Sequence, residues 1–290
     1  MLVKFANRRN YRSATVRLVI CFLIPCPSIG RTHADEPTAS DAATRRESVQ
    51  RLTTNDGVEF GMWGRIDETA QPTLIVLSGT IDATLTSPYF RQCGNQLARD
   101  SGWLCVSIDL PCHGTQQREG ESGLASWRTR VEGGEDFVKE FNQRMSGVLD
   151  FLVEHGYTDP KQVAACGTSR GGFLALHFAA SDARVGCAAG FAPVTDLAML
   201  SEFQGAEGHP LTKQLSLVNQ ADKLAERRVW IGIGDQDQRV STDAAIHLAR
   251  QLTIAKSEVE LHVFPEPRGH TTPKGAPEMV ARWILARANE

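Results

Sequence analysis

The chain has 290 residues, 41% of them apolar and 22% charged, which excludes a disordered or fibrous chain and gives enough apolar side chains for a full core without disulfides or metals. Its formal net charge of −3 is uneven: residues 1–34 hold six basic side chains (Lys4, Arg8, Arg9, Arg12, Arg17, Arg31) and no acid, leaving 25 basic against 34 acidic over the rest. A nucleic-acid-binding chain normally has the opposite balance, so no nucleic-acid partner is expected.

The basic start runs into Leu18-Val19-Ile20-Cys21-Phe22-Leu23-Ile24, then Pro25 and Pro27, then Thr32-His33-Ala34-Asp35. A positive region, a short apolar stretch and a small-residue exit form the layout of a secretory signal peptide. Residues 1–34 are therefore read as a signal peptide, with the mature chain beginning near Asp35 and exported to a periplasm or the medium. The apolar stretch is too short to span a bilayer, and its prolines would break a buried helix. Arg8-Arg9 leaves a twin-arginine route open. In Leu23-Ile24-Pro25-Cys26, Pro25 stands where a lipoprotein box wants a small residue. No long apolar run occurs later, so no membrane contact is expected after cleavage.

Residues 35–46 are polar and aperiodic, a linker, and residues 47–290 read as one domain. Ser48 to Phe60 alternates around Asn55-Asp56-Gly57, a hairpin signal. Short apolar runs follow at Leu74–Leu77, Leu104–Ile108, Val163–Cys166, Val185–Ala192, Val229–Ile233 and Val259–Phe264. Between them lie helical patterns over Tyr89–Ser101, Phe137–His155, Gly172–Ala180, Asp243–Leu252 and Pro277–Ala288. Alternating strands and helices predict an α/β fold: a doubly wound, mostly parallel sheet with helices on both faces. Val194 to Arg228 is short and polar, with room for a crossover helix but not for a large cap domain. Gln116–Glu135, with Trp127 in its middle, reads either as pocket lining or as a solvated surface loop. Of the cysteines beyond the leader (Cys93, Cys105, Cys112, Cys166, Cys187), none forms a Cys-x-x-Cys pair. They read as small hydrophobes, and a Cys105–Cys112 bridge in an oxidising compartment stays open.

In such sheets the chemistry gathers outside the carboxyl ends of the strands. The residues there are Ser78-Gly79-Thr80, Asp109-Leu110-Pro111-Cys112-His113-Gly114, Gly167-Thr168-Ser169-Arg170-Gly171-Gly172, Pro193 with Asp196, Gly234-Asp235-Gln236-Asp237, and Arg268-Gly269-His270. Gly167-Thr168-Ser169-Arg170-Gly171 is a G-x-S-x-G set between a strand and a helix, the context in which a strained turn lifts a serine hydroxyl above the sheet. A serine is a weak nucleophile without a base and an orienting acid, which His270 and Asp237 can supply. Asp235 and Asp196 are the rival acids. His113 reads as a loop-holding residue, and His177, His247 and His262 as packing or surface groups. No histidines pair with carboxylates at ligand spacing, so no metal and no cofactor are expected.

The order serine, aspartate, histidine along the chain resembles that of the α/β-hydrolase superfamily. The run Gly-Thr-Ser-Arg-Gly-Gly is most similar to the dienelactone-hydrolase and prolyl-oligopeptidase-like esterase groups. Asp237 fits the Gly-x-x-Asp-x-x-Val pattern that such proteins carry, here Gly234-Asp235-Gln236-Asp237-Gln238-Arg239-Val240. The resemblance implies a Ser169–His270–Asp237 triad. It also implies an oxyanion hole made by the backbone amides of Arg170 and Thr80. Many relatives have His-Gly where this chain has Ser78-Gly79.

The expected function is an exported serine hydrolase cleaving short-acyl or polar carboxylic esters of small molecules through an acyl-enzyme. The alternatives are a prolyl-oligopeptidase-like serine peptidase, which would normally carry a large extra domain, and a non-catalytic binding module on the same fold. Complete chemistry at three strand ends speaks against the last.

Overall fold

The computed structural model describes residues 48–288, so the signal peptide and linker expected over 1–34 and 35–46 lie outside the described residues. The chain begins there with β1 (Gln50–Thr53) and β2 (Glu59–Trp63), an antiparallel hairpin with Thr53 opposite Glu59. Next come β3 (Gln71–Leu77), the short helices α1 (Ile81–Thr86), α2 (Pro88–Arg91) and α3 (Gly94–Ser101), and β4 (Leu104–Ser107). Helices α4 (Gly123–Glu132) and α5 (Phe137–Glu154) lead to β5 (Thr158–Thr168), α6 (Arg170–Ser181) and β6 (Val185–Phe191). The remainder is α7 (Pro210–Gln214), β7 (Arg228–Gly234), α8 (Thr242–Ile254), β8 (Glu258–Phe264) and α9 (Ala276–Ala288).

The strands form one sheet in the order β1-β2-β4-β3-β5-β6-β7-β8. Pairing is antiparallel through β2 and β4 and parallel from β4 to β8. The apolar run of β3 explains its central place, because alternate side chains enter opposite layers. Ile75 and Leu77 join a core with Phe141, Val148 and Leu149 of α5 and Phe173 and Leu174 of α6. Leu74 and Val76 join a second core with Ile81, Leu97 and Val280. Each such side chain, fully buried, contributes about 1.5–3 kcal/mol to folding. The doubly wound, mostly parallel α/β arrangement is thus present. No helix among the described residues is long and apolar enough to cross a membrane.

Four local expectations change. The single helix over Tyr89–Ser101 is two, separated at Gln92, whose φ of 51° no helix accommodates. It is preceded by α1, which Thr80 caps by accepting from Ala83 N at 3.1 Å. Gln116–Glu135 is in part a solvated loop, with residues 117–120 and 133–135 exposed, and in part a helix. Its α4 turns Trp127 and Val131 inward, and the indole donates to Pro111 O at 2.8 Å inside the core. The crossover from β6 to β7 contains the short α7 and 3₁₀ turns at Leu197–Met199, Ser201–Phe203 and Leu217–Leu224 in place of a full helix. Finally, Cys105 and Cys112 are both free and lie in the two different cores, so no bridge joins them.

His177 of α6 is buried and donates from Nε2 to Leu215 O at 3.0 Å. Burial pushes its imidazole down to about 4. The folded state therefore keeps His177 neutral at pH values where the unfolded chain, with an ordinary pKa of about 6.5, takes a proton. Its stabilising contribution is full above about pH 6.5 and is lost toward pH 4, by up to about 1.4 kcal/mol per pH unit. Urea unfolding at pH 7, 5.5 and 4.5 should show a shallower decline for His177→Gln, whose amide still donates. Equal slopes in the two proteins would contradict this.

Candidate active site

The turn from β5 into α6 is sharp and closely packed. Ser169 has φ 53° and ψ −116°, a conformation L residues rarely adopt, held by three backbone bonds. Ser169 N donates to Phe191 O (2.9 Å), and its carbonyl accepts from Phe173 N and Val194 N (each 3.1 Å). The flanking glycines are sterically required. A Cβ on Gly171 would lie 1.9 Å from Leu77 O, and one on Gly167 would lie 2.3 Å from the Gly171 carbonyl carbon. Neither obstacle is a side chain that could swing away.

The loop after β8 brings His270 to this serine. Ser169 Oγ lies 3.0 Å from His270 Nε2, across 101 residues of sequence, and His270 Nδ1 lies 2.8 Å from Asp237 Oδ2. Asp237 is inaccessible at its side chain while His270 is 28% exposed, so the chain of bonds runs from the interior to an open rim. The other Asp237 oxygen accepts from Arg239 N (3.0 Å) and Val240 N (3.2 Å). A carboxylate so occupied accepts the Nδ1 proton, which leaves Nε2 to accept from the serine hydroxyl. The rival carboxylates have other partners. Asp196 heads the Leu197–Met199 turn by accepting from Ala198 N at 3.0 Å, and Asp235 accepts from Glu266 N at 2.9 Å. Asp235 thereby anchors the loop that carries His270.

Arg170 opens α6, so its amide has no acceptor within the helix and points with the positive end of the helix dipole. The Thr80 amide makes no backbone hydrogen bond among the described residues. Its surroundings are tightly held: Leu110 N donates to Gly79 O (3.0 Å), and Ile81 N donates to Asp109 Oδ1 (2.8 Å). Buried Asp109 accepts with its other oxygen from Thr115 N and Oγ1 (2.8 and 3.1 Å). Gly114, at φ 52°, leaves the space: a Cβ there would sit 2.1 Å from Asp109 Oδ2. Asp109 thus pins the loop carrying Thr80, a role nothing in its sequence neighbourhood announces.

The rim is basic. Arg170 Nε donates to Ser78 O at 3.0 Å, and burial, then the like charge of Arg239, pushes its guanidinium below the usual range. Arg239 is itself held by Glu202 at 2.6 Å. His113 Nδ1 donates to Pro111 O at 2.8 Å, and burial lowers its pKa. It braces its loop and makes no bond to Ser169. His262 lies against Trp230 with ring centroids 5.1 Å apart, and His247 is exposed.

The strand order, the strained serine turn and the serine–histidine–aspartate chain of bonds define the α/β-hydrolase class. Residues 126–283, more than half of the chain, match the prolyl oligopeptidase family, and the chain belongs to that family. It is 24% identical over 224 residues to acylamino-acid-releasing enzyme 1 of rice (Oryza sativa subsp. japonica), covering 69% of this chain and 27% of that enzyme. The chain therefore spans about a quarter of this curated relative. Among solved structures, acetyl xylan esterase 1 from Thermoanaerobacterium sp. superposes with a TM-score of 0.60 at 17% identity, over 82% of each chain. An acylaminoacyl peptidase from Pyrococcus horikoshii gives 0.61 at 14% identity, over 82% of this chain and 41% of its own. At such identities the two structures speak for the fold.

The hydrogen bonds rank the three carboxylates. Asp237→Asn should cost about 10³–10⁴-fold in kcat, because an amide can present its NH₂ to Nδ1 and stabilise the wrong tautomer. Asp196→Asn, at a half-buried turn that an asparagine caps as well as an aspartate, should stay within about threefold. Steady-state rates on a nitrophenyl ester would check this, and the reverse ranking would move the acid to Asp196.

Proposed function

We propose that this chain is a serine hydrolase that cleaves carboxylic esters with short acyl groups or polar, soluble substituents. Ser169 is the nucleophile, His270 the general base and Asp237 the residue that orients and stabilises the imidazolium. His270 takes the hydroxyl proton as Ser169 Oγ attacks the acyl carbonyl, and the amides of Arg170 and Thr80 hold the developing oxyanion. His270 then returns the proton to the leaving alcohol. Water, deprotonated by the same histidine, hydrolyses the acyl-enzyme. The observation that carries the hydrolase reading is the unbroken set of bonds from buried Asp237 through His270 to a half-buried serine in a strained turn.

The 3₁₀-rich crossover between β6 and β7 supports the preference for short acyl groups. Of its larger apolar side chains, Leu197, Leu200, Phe203, Leu215, Leu217 and Leu224 are buried in the core, while Met199 is 47% exposed. Glu202 pairs with Arg239 at 2.6 Å. With its apolar side largely used, the crossover offers little apolar surface to a long acyl tail, and extra methylenes contribute about 0.8 kcal/mol each only where they are buried. A peptidase acting on N-acylated residues is the second reading, favoured by the family match and by the name of the rice relative.

A panel of nitrophenyl esters from acetyl to palmitoyl, run beside N-acetyl-aminoacyl nitroanilides, separates these readings. The expected result is a kcat/KM that is highest at acetyl to butyryl and falls with length, with the anilides at least tenfold slower. Rising kcat/KM beyond eight carbons would refute the open pocket, and faster anilides would make the peptidase reading the better one.

A further inference from the structure

Gln92 stands out on three counts that the catalytic assignment does not use. It is a non-glycine residue at φ 51°, ψ −127°, nearly the backbone conformation of Ser169 itself. Such a conformation is unfavourable for a non-glycine residue and persists only where surrounding contacts impose it. It is also almost fully buried, at 3% exposure, although it ends a four-residue helix at the protein surface. Its Nε2 donates to Thr168 Oγ1 and to Thr272 Oγ1, each at 2.8 Å.

Those acceptors lie one residue before Ser169 and two residues after His270. Gln92 therefore ties the strand that carries the serine to the loop that carries the histidine, through two short bonds shielded from water. The same helix supplies a second tie: Thr272 N donates to Tyr89 Oη (3.2 Å), which also pairs with Thr271 Oγ1 (3.2 Å). From the other side, Asp235 holds the loop through Glu266 N. His270 lies between these anchors, and of them the Gln92 link is the one that reaches the serine's own strand directly.

We propose that Gln92 is a positioning residue that sets the spacing between Ser169 Oγ and His270 Nε2. Gln92 has this role only on the serine-hydrolase reading, since the spacing matters to rate only if a proton crosses it. A misplacement of about 1 Å in such a contact costs about 10²-fold in rate.

The test uses the wild type, Gln92→Met (similar volume, no donor), Thr272→Val (same shape, no hydroxyl) and the double variant. Nitrophenyl acetate kinetics are normalised to active sites counted with a fluorophosphonate. Each single variant should lose about 10–100-fold in kcat with KM within about twofold. The double should be no worse than the poorer single, because both remove one link. A folded Gln92→Met with wild-type kcat, or losses that multiply in the double, would overturn the assignment. If Gln92→Met fails to fold, Thr272→Val decides alone, and its wild-type kcat would overturn it equally. A wild type that neither turns over ester nor labels at Ser169 would instead defeat the serine-hydrolase reading, and the role of Gln92 with it.

Discussion

One backbone conformation organises this protein: a serine at φ 53° held between a strand and a helix. It exists because Gly167 and Gly171 let β5 and α6 approach each other and β3 so closely that a single Cβ would strike the backbone of Gly171 or of Leu77. The cost of the strain is of order 1–3 kcal/mol, comparable to one well-buried leucine. Three backbone bonds from β6, α6 and the segment after β6 offset it. Everything else at the site is arranged around where that turn puts the hydroxyl and the first amide of α6.

The other components come from loops that the sheet order sets side by side. Strand β5 is flanked by β3 and β6, so Thr80 arrives from one neighbour and the crossover from the other. The loops after β7 and β8 then deliver Asp237 and His270. Loops alone would leave these groups mobile: buried Asp109 ties the Thr80 loop, and buried Gln92 together with exposed Asp235 ties the His270 loop. The arrangement leaves the His270 side open to water while burying the carboxylate, which suits a base that must exchange protons and an acid that must stay fixed.

The parts legible in the sequence are those whose chemistry is local. The serine turn needs glycines at fixed offsets, so it is visible in six letters. Buried parallel strands need unbroken apolar runs, so the sheet is visible too. The juxtaposition of Asp237 and His270 with Ser169 followed from their places at strand ends together with a family-like pattern. What stayed hidden depends on distant partners. Gln92 bonds to residues 76 and 180 positions away, and no periodicity signals that. Trp127 sits among glycines and charges, and only the docking of α4 against Pro111 reveals it as a core residue. The cysteines could be read for burial but not for which face of the sheet each one occupies.

The central claim is that Ser169 is the activated nucleophile of this protein, and the most direct measurement is covalent. The purified chain is treated with a fluorophosphonate at neutral pH, weighed intact by mass spectrometry, then digested and sequenced. One adduct per chain on the peptide containing Ser169, absent in Ser169→Ala while its circular dichroism is unchanged, is the result predicted here. No adduct on the folded wild-type chain, or one that persists in Ser169→Ala, would contradict the account.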